Sequence, residues 1–283
     1  MLHDVPAPAK LNLFLHVVGR RDDGYHLLQS VFALIDWCDT LHFERRDDGL
    51  LRRHDLTAAL PEDDLSLRAA RLLQRESGCR LGADISIDKQ VPWGAGLGGG
   101  SSDAASTLLA LNRLWAIDWP RERLLALAAR LGADVPFFVG GRNAWVEGIG
   151  DRLTPIDLAP RWWAVLKPAV AVPTAAIFGS PTLVRNTAAA TISSFLADPP
   201  GFGHNDLQGP AMAYSDEVAE ALTLLQTRFG NGRMTGSGSA VFAEAGTGDA
   251  PRFGMTEAGA LPPGWMGRMC RGLERHPLAD WAG

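Results

Sequence analysis

The stretch VPWGAGLGGGSSDAASTLLALNRLW, residues 91–115, constrains this chain more than any other. Gly94, Gly96, Gly98, Gly99 and Gly100 fall within seven positions, Ser101, Ser102 and Asp103 follow, and an Ala- and Leu-rich segment runs without a breaker to Trp115. Glycine lets backbone N–H groups turn towards one point and lets a ligand approach with no Cβ in the way. The pattern predicts a glycine-rich loop feeding a helix amino terminus, capped by Ser101 or Asp103. Free N–H groups and the positive end of the helix dipole then make an anion site, most often for phosphate. The alternative is a flexible linker, but linkers do not run straight into a capped helix.

Three phosphate-loop patterns compete for this stretch. The P-loop needs Gly-Lys before Ser or Thr, and no such pair occurs in the loop. The dinucleotide fingerprint G-x-G-x-x-G is present at Gly94, Gly96 and Gly99, with Asp118 near the place of a ribose-binding acid. Its context is wrong, because a Rossmann first strand is a continuous apolar run ending at the glycines. Here Ile85 and Ile87 alternate with Asp84, Ser86 and Asp88, which predicts a strand with one solvated face, and Pro92 and Trp93 intervene. Protein-kinase signatures are missing, since neither H-R-D nor D-F-G occurs. The third pattern, P-x-G-x-G-L-G-S/G-S-S, fits PWGAGLGGGSSDAA at almost every position. It is the phosphate loop of the GHMP kinases, and the chain resembles that family.

Length allows two domains, with 283 residues. A net charge of −5 and the lack of a basic run argue against nucleic acid or an anionic membrane as partner. Cys38, Cys79 and Cys270 are far apart and odd in number, which predicts reduced thiols in a cytoplasmic protein and no zinc site. The opening MLHDVPAPAK lacks the apolar core of a signal peptide. The most apolar stretch, 162–178, is broken by Lys167, Pro168 and Pro173 and is not expected to span a bilayer.

Along the chain, residues 6–19 predict a strand with Leu11, Leu13, Leu15 and Val17 on one face and Asn12, Phe14, His16 and Val18 on the other. Lys10 opens this strand on the Asn12 face and, taken alone, reads as a solvated strand-end lysine. Asp23-Gly24 signals a hairpin turn. Tyr25 and His26 follow it, either as half-exposed aromatics or as a pair able to stack on a base. Strands are expected over 28–36 and 39–46, a variable loop over 45–62, and a helix over 64–77 capped by Asp63 or Asp64 and ended by Gly78. A further helix over 121–131 stops at Gly132. Asp134 then sits among Ala133, Val135, Pro136, Phe137 and Phe138, an unusual place for a carboxylate. It reads either as a turn or cap aspartate before proline or as a base in a dry pocket. A strand, NAWVEGIGDRL, ends the first domain near Pro155.

The second half predicts a strand over WWAVLKP, a short helix within 187–197 and a long helix over 210–229 introduced by HNDLQGPA, with Asn205 and Asp206 as its caps. GNGRMTGSGSAVFAEA reads as a turn, a second glycine loop and a strand, or as a tight hairpin. A weak helix around 250–258 and a strand over 265–273 complete the chain.

Further segments extend the resemblance. APAKLNLFLHVVGRRDDGYHLLQSVF is similar to the opening of the cytidyl-diphosphate branch of the GHMP kinases, LGADVPFF to the family's catalytic segment, and MTGSGSAVF to its third motif. The resemblance covers essentially the whole chain. It implies an α+β, two-domain GHMP-kinase-like architecture, divided as 1–157 and 158–283, with a mixed sheet and helices in each domain and the active site in the cleft between. It implies an ATP- and magnesium-dependent small-molecule kinase of non-mevalonate isoprenoid-precursor biosynthesis, a monomer or weak homodimer. The enzyme would phosphorylate the 2-hydroxyl of the methylerythritol part of a diphosphocytidyl sugar-alcohol substrate. Asp134 would be the base and Lys10 its partner. Lys89, Pro92, Trp93, Gly94, Ala95, Gly96, Leu97, Gly98, Gly99, Gly100, Ser101 and Ser102 would bind ATP. Asn12, Tyr25, His26, Thr174, Phe178, Gly236 and Ser237 would hold the substrate. No acidic magnesium ligand stands out. Glu147 and Asp151 are candidates, although GIGD equally reads as a structural turn. A GHMP kinase of homoserine or mevalonate type and a dinucleotide-dependent oxidoreductase remain as other readings, and GRRDDGYH argues for the cytidyl branch.

Overall fold

The computed structural model describes residues 1–199, 201–252 and 261–283. The chain opens with a long antiparallel ribbon of β1 (Leu2–Arg20) and β2 (His26–Arg46), joined by the expected turn, where Gly24 takes φ 91°. β3 (Leu51–Asp55) runs parallel to β4 (Gly82–Asp88), which pairs antiparallel with β2. β5 (Ala144–Glu147) takes another part of β2 and pairs outward with β6 (Arg152–Pro155). The first sheet is therefore mixed, in the order β3-β4-β2-β5-β6 with β1 laid on β2. Residues 45–62 are not all loop, since β3 uses them to extend the edge beyond β4.

Two irregularities in the ribbon correct the expected strands. Between the pairs Pro8–Cys38 and Lys10–Leu34, β2 uses four residues against two of β1. The two strands expected over 28–36 and 39–46 are thus one bulged strand. Between Asn12–Phe32 and Leu15–Ser30, β1 uses three residues against two of β2. An extra residue in one strand breaks its alternation and bends it. Phe14, expected with Asn12 and His16, accordingly packs in the same core as Leu11 and Leu13.

Helices α1 (Leu65–Ser77), α2 (Gly99–Leu114), α3 (Arg121–Leu131) and α4 (Val135–Gly140) cover one face of this sheet. Leu73, Leu108, Leu111 and Phe137 pack there on Leu34, Leu41, Phe43, Ile85 and Ile87. The limits of α1 and α3 are as the sequence predicts. The Asp64 carboxylate accepts from the N–H groups of Ser66 and Leu67, Gly78 ends α1 in the left-handed conformation, and Gly132 follows α3. Asp84, Ser86 and Asp88 are part-exposed while Ala83, Ile85 and Ile87 are buried, so β4 does have one solvated face.

The second sheet, in the order β10-β7-β9-β8, is antiparallel throughout and not mixed. It comprises β7 (Trp162–Lys167), β8 (Arg233–Met234), β9 (Val241–Gly246) and β10 (Met266–Arg271). Alternation along β7 sends Trp163 and Val165 against Leu11, Leu13, Ile35 and Trp37 of the first sheet. It sends Ala164 and Leu166 against the outer helices α7 (Gln208–Tyr214) and α8 (Asp216–Phe229), through Ala211, Val218, Ala221 and Leu225. The molecule is thus layered as helices, sheet, sheet, helices. The long helix expected over 210–229 is split because Ser215 is extended, at φ −151° and ψ 127°, and Asp216 and Glu217 then favour a new helix start. Among the described residues this half also has two short helices, α5 (Thr174–Phe178) and α6 (Ile192–Ala197). The helix expected around 250–258 lies outside the described residues from 253 onwards.

Candidate active site

The glycine loop joins the end of β4 to α2. Gly94, Gly96 and Gly98 take φ of 63°, 74° and 73°, and Gly98 is the residue from which α2 starts. Ser101 and Asp103 were expected as caps, but both lie inside the helix and no side chain caps it. The left-handed turn at Gly98 brings the chain straight into helical geometry, and a helix start without a side-chain cap leaves its N–H groups for a ligand. Gly96 is where this loop meets the second glycine loop. A Cβ there would lie 2.2 Å from the carbonyl oxygen of Thr235, and the Ala240 N–H donates to Ala95 O at 3.2 Å.

The second loop, 235–240, is the connection of the β8–β9 hairpin, so the two readings of that segment hold together. Asn205 fastens it. Its amide donates to Met234 O at 2.7 Å and to Gly236 O at 2.8 Å, while its Oδ1 accepts from Leu207 N. The Asp206 carboxylate accepts from Val17 N at 2.6 Å and from the Thr187 hydroxyl at 2.8 Å. The expected capping role of this pair is therefore corrected: α7 has no side-chain cap, and both residues tie β1 and the second loop to the outer helices.

Lys10 lies on β1 beneath the glycine loop and is only 4% exposed, so it is not a solvated strand-end lysine. Its ammonium donates to Asn12 Oδ1 at 2.5 Å and to Gly96 O at 3.0 Å, and stands 3.8 Å from Asp134 Oδ2. Burial pulls the Lys10 pKa below its ordinary value, and the Asp134 carboxylate partly opposes that. Asn12 is held in turn: its amide donates to Ser30 Oγ, and its N–H donates to Thr235 Oγ1. Asp134 immediately precedes α4. Its apolar neighbours Val135, Phe137 and Phe138 are buried in the helix-side core, but the carboxylate itself is 32% exposed. The apolar run thus anchors α4, and Asp134 faces the cavity mouth and not a dry pocket.

Lys89 makes a different set of contacts. Its ammonium pairs with Asp39 and, at 2.6 Å, with Asp103 of α2. Asp39 Oδ1 also accepts from the N–H groups of Gln90 and Val91. Burial works against the Lys89 charge, yet Asp103 and Asp39 outweigh it and hold the ammonium above its ordinary pKa. One cation cannot neutralise two buried carboxylates, and Asp103 is raised to about 8, chiefly by burial. Lys89 therefore buttresses the glycine loop from below, its Nζ lying 3.1 Å from where a Gly99 Cβ would be.

Two spaces meet at the glycine loop and share Gly94, Gly96 and Gly98. One, of about 300 Å³, is bounded by residues 92–101 with Leu60, Leu65 and Lys89, and Trp93 beside it is 64% exposed. The other, of about 370 Å³, brings together Lys10, Asn12, Asp134, Thr174, Phe178, Gly236 and Ser237. The Thr174 and Ser237 hydroxyls lie 2.8 Å apart. His26 stands just behind Phe178, with ring centroids 5.0 Å apart and planes at 33°. Tyr25 is 60% exposed and does not line the cavity. Glu147 accepts from the Gln29 amide and Asp151 from the Ile149 N–H, so GIGD is a structural turn. Among the described residues no cluster of three metal-ligating side chains occurs.

Four contributors were not foreseen. Asp39 and Asp103 hold Lys89, Ser30 holds Asn12, and Arg185 donates from Nε to His26 Nε2 at 3.1 Å. None has a local sequence signal, because each acts on a residue more than ten positions away.

The model of the GHMP kinases N terminal domain matches residues 64–142. A 4-diphosphocytidyl-2-C-methyl-D-erythritol kinase of Methylibium petroleiphilum is 82% identical over 282 residues, covering 100% of this chain and 98% of the relative. The chain belongs to the 4-diphosphocytidyl-2-C-methyl-D-erythritol kinase family. It is an enzyme of the small-molecule kinase class, and ATP is the phosphoryl donor of the GHMP kinases. A kinase of the same name from Polaromonas naphthalenivorans is 54% identical over 291 residues, covering 99% of this chain and 96% of its own. A crystal structure of 4-(cytidine 5'-diphospho)-2C-methyl-D-erythritol kinase superimposes with a TM-score of 0.80 at 36% identity, over 94% of this chain and 98% of that one. A mevalonate kinase structure reaches a TM-score of 0.70 at only 12% identity, over 96% of this chain and 99% of its own, which shows the shared fold. No helix among the described residues is long and apolar enough to cross a membrane.

Proposed function

We propose that this member of the family transfers the γ-phosphoryl group of ATP to the 2-hydroxyl of 4-diphosphocytidyl-2-C-methyl-D-erythritol. The observation that carries the reading is the single cavity in which the glycine loop, Lys10 and Asp134 face Thr174, Phe178 and Ser237. Phosphoryl transfer needs little covalent help from a protein, and positioning and charge stabilisation supply most of the catalysis. The N–H groups of residues 94–101 cradle the phosphates, with Pro92 and Trp93 at the nucleotide end, while Ser102 is buried in α2 with its N–H given to Gly98 O. Lys89 serves this loop from beneath. Asp134 accepts the hydroxyl proton, and its partial exposure lets an acceptor reach it.

Lys10 has three N–H donors. Asn12 and Gly96 take two of them, and the remaining one points the cation towards Asp134 and the phosphoryl group in transit. Thr174, Gly236 and Ser237 bond the polar part of the acceptor, while Phe178, backed by His26, abuts the cytosine, with Tyr25 at the rim. Magnesium takes oxygen ligands, keeps several waters and is commonly held through substrate phosphates. The donor set fits that mode: Ser101 lines the nucleotide space and Asp134 the acceptor space, and the phosphates would supply the other ligands. The ion would neutralise phosphate charge. The division into domains at 157/158 falls between β6 and β7, and the protein acts in the cytoplasm as a monomer or weak homodimer.

The test is ADP release in a coupled assay with ATP and magnesium. Release should require the diphosphocytidyl acceptor and should not appear with mevalonate or homoserine. ADP release that is indifferent to the acceptor, or NADH binding at the loop, would overturn the reading.

A further inference from the structure

Residues 276–283 follow β10 of the second sheet, yet they lie against the helices of the first. Leu278 is buried in the helix-side core, Trp281 and Ala282 pack on it, and the Arg113 guanidinium of α2 stands 5.1 Å from the Trp281 ring. This segment meets the two helices that frame Asp134. α3 runs from Arg121 to Leu131, Gly132 and Ala133 follow, and Asp134 immediately precedes α4, so the carboxylate stands at the joint between them. The ends of both helices remote from that joint are held by 276–283. Beyond α4, Gly141 O accepts from His276 N at 2.9 Å, and at the start of α3, Arg121 N donates to Gly283 O at 2.9 Å. The Arg121 side chain closes the arrangement. Its Nη1 donates to Val139 O in the last turn of α4, and its Nη2 donates to Ala279 O and, at 2.8 Å, to Ala282 O.

A helix leaves its last four carbonyls without an internal partner. α4 has only six residues, so its buried Val135, Phe137 and Phe138 fix it sideways while partners at its far end fix it along its axis. A cation suits the negative end of a helix. A planar guanidinium can also meet carbonyls of α4 and of 276–283 together, which a single ammonium reproduces poorly. The Asp134 carboxylate makes no capping bond to α4, so its place follows the backbone that carries it. Lys10, by contrast, is fixed by Asn12 and Gly96 O, 3.8 Å from Asp134 Oδ2. We propose that Arg121 is a positioning residue for the reaction, which with residues 276–283 ties the remote ends of α3 and α4 together and so sets where the Asp134 carboxylate stands against Lys10. This rests on reading Asp134 as the base. Arg121 lines neither space at the glycine loop, so it acts through the helices and not on a substrate.

Steady-state kinetics of the full chain tests the clamp, at a temperature well below the unfolding midpoint of each variant. Misplacing a reacting group by about 1 Å costs up to about 10²-fold in rate, so Arg121→Met should lower kcat about 10- to 100-fold. The KM values of ATP and the acceptor should change little, since neither substrate meets the clamp. A double-variant cycle with Asp134→Asn separates positioning from a general loosening of the fold. If Arg121 acts through Asp134, Arg121→Met should cost little further turnover once the base has been removed. Equal losses in the wild-type and Asp134→Asn backgrounds would make Arg121 a structural residue only and overturn the proposal, as would an unchanged kcat in Arg121→Met. Arg121→Lys keeps the charge and loses the fork, and should recover little of kcat. Full recovery would leave the charge alone as the cause and overturn the two-sided grip. If Arg121→Met is poorly folded, Arg121→Lys serves for the same cycle. Near-normal turnover in Asp134→Asn alone would remove the base reading and the proposal with it, whereas a large loss there with none in Arg121→Met would remove the clamp and leave the base in place.

Discussion

The glycine loop over residues 94–102 and Phe178, which is backed by His26, border the same cavity, yet the loop and the ring pair are built by opposite means. The loop is contiguous and works through its backbone: three glycines at positive φ and the uncapped start of α2 aim N–H groups at one point. The ring pair is discontinuous and works through side chains. His26 begins β2, Phe178 ends α5, and Arg185 reaches both from the segment beyond. Phosphate is common to every nucleotide and can be bound by peptide groups, which any sequence possesses once its glycines permit the turn. A base differs from other bases in its edge, so it must be read by oriented side chains, and these are collected from across the fold. The reacting groups stand between the two: Lys10 comes from β1, Asp134 from the start of α4, and they meet only in the folded chain.

The comparison predicts that damage at the junction costs turnover, damage under the loop costs stability and ATP binding, and damage at the rings costs acceptor affinity alone. The largest effect is expected at the junction. Asp134→Asn keeps the shape and removes the proton acceptor, so single-turnover rates should fall roughly 10²–10⁴-fold with little change in ATP affinity. Lys10→Ala should also cost turnover, and the double variant should lose less than the product of the two losses. Near-normal turnover in Asp134→Asn would remove it from the base role, and strictly multiplicative losses would argue against a coupled pair.

Under the loop, Lys89→Met leaves Asp39 and Asp103 buried without their cation. Breaking such a cluster from one side costs about 3–5 kcal/mol, measurable by denaturant unfolding. If Lys89 contacts phosphate and does not buttress the loop, ATP affinity should drop while stability holds. The same cluster carries a pH signature. Asp103 is raised to about 8 in the folded protein, above its ordinary 3.8. The folded state then keeps a proton that the unfolded chain gives up, so this contribution is full below the ordinary value and is lost as pH rises towards 8. Thermal midpoints should show that decline, and Asp103→Asn should flatten it. An identical pH slope in the variant would place the proton elsewhere.

Within the loop, Gly98→Val forces a β-branched residue to φ 73° and sets a Cβ 3.0 Å from the Phe138 ring and 3.2 Å from Lys10 Cγ. Strain of this kind costs on the order of 1–3 kcal/mol, and ATP affinity should weaken by about tenfold or more. Unchanged affinity in a folded variant would break the phosphate-cradle reading. The smallest effects belong to the rings. Ring stacking contributes on the order of 1 kcal/mol, so His26→Ala or Phe178→Ala should raise the acceptor KM several-fold and spare that of ATP. Tyr25→Ala should do less, since Tyr25 is exposed and does not line the cavity. Equal effects on both substrates would erase the distinction between the two regions.

Much of this molecule is legible without coordinates. The limits of α1 and α3, the one-sided burial of β4, the glycine loop and its helix follow from capping residues, apolar spacing and glycine placement, all of which act within a few residues. The family resemblance rests on the same local strings, and the relatives bear it out. What local reasoning misplaces lies where a distant partner overrides a local preference. Ser101 and Asp103 look like caps, but Asp103 is drawn inward to Lys89. Asn205 and Asp206 look like caps and are instead taken by the second loop and by β1. Phe14 leaves its expected face because a bulge, defined by β1 and β2 together, shifts the phase. The sequence by itself determined α1, α3, β4, the phosphate loop with its helix and the family, because backbone conformation and glycine tolerance are properties of short stretches. Only the tertiary structure decided that Lys10 is buried beside Asp134, that Lys89 stands beneath the loop, and that Arg185 holds His26, because each of these contacts joins residues that only the packing of the two sheets and their helices brings within reach.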